Sequence, residues 1–236
     1  MRYWGRNIKI AGDWIMDSPN QNDDNARTNP DAARFEEETQ TILRNISNNP
    51  VGKVVLDAFD SAANDVTIRP LARAAIRKQS SRPIFVDKAR ETDRGSPSAP
   101  GPGSGVTIWF YRGGVNVHGH FYRSDDSLLH ESFHALRQVR GRWRAVPMPG
   151  WDNREEMYAS MVTNIYASRG SRNADMRSTH GAAFVPMQLT PEQFRQQFFN
   201  EILEFRSSMF DIYSSIAALQ VNWNPLAVFE SRFWIR

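Results

Sequence analysis

The chain of 236 residues contains no cysteine. A disulfide scaffold and any thiolate metal site are therefore excluded, and metal ligands have to come from histidine, aspartate or glutamate. Charge of one sign is not in excess: 29 Lys and Arg against 26 Asp and Glu leave a net +3, too little to make nucleic acid the expected partner. No apolar run is long enough to cross a membrane, and the charged, aromatic N-terminus lacks the apolar core of a Sec-type signal peptide. A secreted protein of this sequence would need another export route, or would be one domain of a larger exported chain. What is present suits a globular protein: 40% hydrophobic residues can bury a sizeable core, and one domain is expected over 1–236.

The most informative stretch is Leu128-Leu129-His130-Glu131-Ser132-Phe133-His134-Ala135-Leu136, which contains the pattern H-E-x-x-H. Leu129, Phe133 and Leu136 repeat at i, i+4, i+7, so the run reads as a buried helix, with Ser124, Asp125 and Asp126 upstream as N-cap candidates. On that helix His130 and His134 stand one turn apart on one face and can share a zinc ion, with Glu131 beside them. Two buried histidines are costly to keep without a metal or full hydrogen bonding.

Along the chain, Asn7 to Ala11 reads as an edge strand and 17–29 as a polar loop. Asn29-Pro30 and Asn49-Pro50 open helices running to about Asn45 and Ala62. Val66 to Arg69 and Ile84 to Asp87 are strands, Leu71 to Lys78 is ambiguous, and the Gly/Ser/Pro-rich stretch 91–105 is a flexible loop. Val106 to Arg112 is the best strand, and by analogy with zincin enzymes it would run along the active-site cleft as an edge. His118-Gly119-His120 is a rival metal pair in a turn-like context. Arg137, Arg140, Arg142 and Arg144 read as a solvated helix end. After 181 the expectation is two helices: one from the capping box Thr190-Pro191-Glu192-Gln193 with the stripe Phe194, Phe198, Ile202 and Phe205, and one over Asp211 to Leu219, ended by Asn224-Pro225.

A catalytic zinc usually keeps three protein ligands and leaves one position open, so a third ligand is needed. The metzincin continuation is excluded, because Arg137 and Arg140 occupy the positions where it needs Gly and His. The remaining source is Glu155 or Glu156, on a second helix with Met157, Met161 and Ile165 as its core stripe. One of the pair is expected to close a capping box from Asp152 or Asn153. In gluzincins a small residue commonly follows the third ligand by three positions, which favours Glu156, with Ala159, over Glu155, with Tyr158.

These residues, together with Val162-Thr163-Asn164-Ile165-Tyr166 and Arg177-x-x-His180, resemble the effector-type zinc metallopeptidases, a family of secreted bacterial effectors and toxin domains. The similarity covers about 106–180, with weaker echoes at Ile8-x-Ile10-x-Gly12 and Pro50-x-Gly52. The resemblance implies an α+β, zincin-like fold: N-terminal helices and strands over 1–90, a catalytic core over 106–180 and C-terminal helices over 181–236. It implies Zn2+ on His130, His134 and Glu156. Glu131 then acts as the base that takes a proton from the attacking water and passes it to the leaving amine. His180 stands in the matching stretch as a candidate donor to the developing oxyanion, with Arg177, Tyr158 or Tyr166 as substitutes. The implied substrate is a protein in a host or competitor cell, and a secretion chaperone or an immunity protein would be a further partner. The alternative is an inactive binding module with a structural metal, which His118 or His120 would close as fourth ligand.

Overall fold

The computed structural model describes residues 1–16, 26–72, 84–85, 99–117, 120–170, 172–180 and 184–233. Its strands are β1 (Arg2–Trp4), β2 (Ile8–Ile10), β3 (Trp14–Met16), β4 (Ala26–Thr28), β5 (Val66–Pro70), β6 (Ile84–Phe85), β7 (Val106–Phe110), β8 (Val115–Val117) and β9 (His120–Tyr122). Five of them form a mixed sheet in the order β1-β2-β5-β7-β6, in which β2, β5 and β7 are parallel and both outer strands antiparallel. Two strand expectations change as a result. The Ile8–Ile10 strand is interior, because Arg2–Trp4 pairs along its free side. The Val106–Phe110 strand is interior as well, because Ile84 and Phe85 pair with Trp109 and Ile108.

The eight α-helices among the described residues are α1 (Ala32–Ser47), α2 (Pro50–Asp57), α3 (Ser124–Val139), α4 (Arg154–Arg169), α5 (Pro191–Gln197), α6 (Phe199–Ser208), α7 (Phe210–Ala217) and α8 (Pro225–Phe233). The chain is α+β. Helix α1 buries Phe35, Ile42 and Ile46, as their spacing requires. Asn49 caps α2 by accepting from Val51 N at 3.0 Å, and its amide donates to Tyr166 O at 3.0 Å, which ties this corner to α4. A Cβ on Gly52 would lie 2.2 Å from Ile46 O, so glycine lets α2 fold back this closely on α1.

One continuous core unites the sheet with helices from both ends of the chain, including Ile8, Phe35, Val55, Ile108, Phe133, Met161, Phe205 and Phe229. The Phe194, Phe198, Ile202 and Phe205 stripe lies inside it. The C-terminal region holds four helices instead of two, because the backbone breaks at Phe198 within the expected first helix and a further helix, α8, follows Asn224-Pro225. Asn224-Pro225 opens α8: the Asn224 side chain accepts from Leu226 N at 3.1 Å and Ala227 N at 3.2 Å. Residues 26–28, expected in a polar loop, form a hairpin with β3. The expected strand beyond Phe85, the ambiguous stretch after Ala72 and residues 91–98 lie outside the described residues. Gly101 and Ser104, in the described end of the 91–105 loop, hydrogen-bond to Gly141 and Gln138 at the end of α3, so that end is fixed.

The start of α3 carries its own constraint. Ser124, Asp125 and Asp126 lie inside the first turn, and the cap position is Arg123, without a side-chain cap. The acids suit the positive end of the helix dipole. Burial and the neighbouring Asp125 push the Asp126 carboxyl up to about 6, against Arg172, whose Nη1 lies 2.8 Å away. A folded pKa above the reference 3.8 means that this residue's favourable contribution is complete below about pH 4 and is lost as pH rises through about 6. We predict that Asp126→Asn removes a fall in stability on the order of 2 kcal/mol between pH 4 and 8. The check is Tm against pH, with the variant more stable than wild type at pH 8; equal profiles would contradict it.

Candidate metal centre

Helix α3 presents His130 and His134, 5% and 3% exposed, with their Nε2 atoms 3.2 Å apart. Helix α4 crosses against α3 and starts at Asn153, whose side chain accepts from Glu156 N at 3.1 Å. That cap sets where the first turn points: Glu156 Oε2 lies 3.2 Å from both His130 Nε2 and His134 Nε2. The three ligand atoms thus form a triangle of equal 3.2 Å edges. A tetrahedral zinc with bonds near 2.1 Å requires edges of about 3.4 Å. The set therefore fits a small cation, and among the described residues it is the one His/Asp/Glu group close enough together to hold a metal ion.

The electrostatics agree. Burial by itself would raise the Glu156 carboxyl, yet His134 and His130 hold it well below the usual carboxylate range. Burial drives His130 well below its usual value, with Arg177 and His134 adding to the effect, whereas His134 is raised, because Glu156 outweighs its burial. One ionised carboxylate between two buried imidazoles is a site that calls for a positive charge. Arg177 Nη2 lies 3.1 Å from His130 Nδ1, and a guanidinium only donates, so His130 Nδ1 is the acceptor and the ring proton sits on Nε2. A cation on Nε2 would move that proton to Nδ1, so metal binding requires the Arg177 contact to loosen. The Tyr122 ring centroid lies 5.9 Å from the guanidinium.

Glu155 takes a different partner on α3. Its carboxylate receives Arg137 Nε at 2.5 Å and Nη2 at 2.9 Å, and also accepts from Arg144 N at 2.8 Å. Both partners have 1% of their side chains exposed. Arg137 also donates to Arg142 O and lies 4.6 Å from the Tyr158 ring centroid. The arginine run is thus not a solvated helix end: Arg137 is core, and Arg140 bonds Asp211, Ser61 and Ala58 O. Neither glutamate side chain closes a capping box, since one is taken by the histidines and the other by Arg137.

His180 is partly buried beside Glu156. Its Nε2 lies 3.2 Å from Glu156 Oε2, its Nδ1 3.0 Å from Asp152 Oδ2, and its ring is parallel to that of His130. Tyr158 and Tyr166 are not placed as donors: Tyr158 is buried over Arg137, and Tyr166 donates to Asp125 Oδ2 at 2.9 Å. His120 is in strand β9 instead of a loop and stacks on Phe184 at 3.5 Å, away from the ligand set, and His118 lies outside the described residues. Sequence reasoning missed Asp152 and the Arg137–Glu155 pair, because both join residues far apart in the chain.

The peptidase M91 family of effector proteins matches residues 22–179. The chain belongs to this family. Membership makes it an effector peptidase with a protein as substrate, and the match contains His130, Glu131, His134 and Glu156 but stops one residue short of His180. No curated protein and no solved structure matches the chain. No helix among the described residues is long and apolar enough to cross a membrane.

The different partners of the two glutamates generate a paired prediction. Glu155→Gln strands Arg137 in the core and should lower stability by about 3 kcal/mol. Glu156→Gln should leave Tm within a few degrees while weakening zinc binding by roughly a hundredfold or more. Urea titration and competitive zinc titration of both variants would check this; the reverse pattern would exchange the roles.

Proposed function

We propose that this effector is a zinc-dependent endopeptidase acting on a protein of a host or competitor cell. The observation supporting the reading is the equal-edged triangle of His130, His134 and Glu156, with Glu131 on the residue next to the first ligand, in a chain of a peptidase family. His130, His134 and Glu156 would hold the ion, which when bound supplies Lewis-acid polarisation of the scissile carbonyl and acidifies water.

The remaining steps belong to the chain's own side chains. Glu131 is 8% exposed and bears electrostatically on both His134 and Arg177, so it sits beside the ligands without being one. It accepts the proton of the attacking water and returns it to the departing amine. A low-dielectric position of this kind keeps the proton within the site instead of releasing it to solvent. His180 Nε2, beside Glu156 Oε2, donates to the carbonyl oxygen as it gains charge; because the Asp152 carboxylate already holds a proton on Nδ1, the ring does this in its doubly protonated form.

The direct test is to expose a cell lysate to the zinc-loaded protein and map new N-termini by mass spectrometry. Wild type should generate a small set of them, and Glu131→Ala should retain about one zinc per chain while generating none. Cleavage by Glu131→Ala at the wild-type rate would exclude this role. On a peptide spanning the mapped bond, His180→Ala should keep its zinc and lower kcat by roughly a hundredfold with much less change in KM. An unchanged kcat would remove His180 from the machinery.

A further inference from the structure

Asp152 is the one non-glycine residue with positive φ, 57°, among the described residues. An L residue takes up this left-handed backbone only at a cost, and such costs are retained where the surroundings impose them, often at functional sites. The Asp152 side chain contributes little to stability. It is 41% exposed, and its ionic contact with His180 is of the kind that contributes little to folding in water.

What the turn does is hold His180 by two points. The carbonyl of Gly150, itself at φ 81°, accepts from His180 N at 2.9 Å, and Asp152 Oδ2 lies 3.0 Å from Nδ1 of the ring. The backbone and the far edge of the imidazole are thereby both fixed to the same short turn. The next residue, Asn153, caps the helix that carries Glu156. His180 Nε2 then stands 3.2 Å from Glu156 Oε2, at the edge of the candidate metal centre. An imidazole without a partner on Nδ1 can rotate about its last torsion or exchange its proton between the two nitrogens. A carboxylate on Nδ1 fixes both.

We infer that Asp152 is a positioning residue for the peptidase reaction: its left-handed backbone aims its carboxylate at Nδ1, and this keeps Nε2 of His180 turned into the cleft. The inference rests on the role proposed above for His180. It extends that role to a residue that is exposed, lies 28 positions away in the chain and is not one of the three candidate ligands.

The test compares zinc-loaded wild type with Asp152→Gly, Asp152→Asn and His180→Ala. The readouts are Tm, zinc content, kcat and KM on the mapped peptide, and the 15N shifts of the His180 ring. Glycine relieves the backbone and removes the carboxylate, so Asp152→Gly should fold with an equal or higher Tm and bind one zinc. Its His180 should lose the fixed Nδ1–H state, and kcat should fall about tenfold with little change in KM. Asparagine tolerates the same backbone and still offers an oxygen to Nδ1–H, so Asp152→Asn should keep most of the activity. If His180→Ala loses kcat while Asp152→Gly keeps wild-type kcat and ring shifts, the inference about Asp152 falls and the role of His180 stands. A wild-type kcat in His180→Ala overturns both. A Tm lowered by several degrees in Asp152→Gly would make the residue structural and overturn the positioning role.

Discussion

A guanidinium with one per cent of its side chain exposed has to be neutralised where it lies, because the cost of an unpaired charge in the core exceeds what most single contacts can offset. Arg137 is such a group, three residues beyond His134 on α3, and Glu155 meets it from α4 through two hydrogen bonds. The two-point geometry leaves little freedom in how the helices are set against each other. Glu155 and Glu156 are about 100° apart around α4. Fixing the first on Arg137 therefore turns the second toward His130 and His134. The ligand triangle depends on an ion pair that contributes no ligand.

Around this clamp the other polar contacts are arranged at the open ends of the two helices. Asn153 starts α4 and leaves the Glu156 side chain free for the histidines. The turn before it holds His180 at the outer edge of the site. At the start of α3, Asp125 and Asp126 are gathered by Tyr166 and Arg172, from α4 and the segment just after it. Apolar packing surrounds all of this, from Leu128 and Phe133 on one helix to Met157 and Met161 on the other. The hydrophobic term holds the helices together, while the buried charges decide their rotation and register.

Much of this was legible in the chain itself. The H-E-x-x-H helix declared itself through the stripe Leu129, Phe133 and Leu136, and α1, α2 and the capped start at Thr190 through local signals that act within one turn. What was not legible involves partners distant in sequence. Arg137 looked like part of a solvated basic run, because its neutralising Glu155 comes 18 residues later on another element. The strand at Val106 was expected at an edge by analogy with zincin enzymes, whereas the strand containing Ile84 and Phe85 pairs along its outer side. The break at Phe198 interrupts a continuous apolar stripe without any proline or glycine to mark it, so packing and not local propensity ends that helix. Asp152 looked like a helix cap; its partnership with His180 arises from the fold of the turn.

The claim on which the account stands is that His130, His134 and Glu156 together hold one metal ion. Crystals grown with zinc and measured on either side of the zinc absorption edge would test it without reference to any substrate. The account predicts one strong anomalous peak per chain, about 2.0–2.2 Å from His130 Nε2, His134 Nε2 and a carboxylate oxygen of Glu156, with Glu155 still on Arg137. A peak bonded to Glu155, or no peak between the two helices in crystals saturated with zinc, would contradict it.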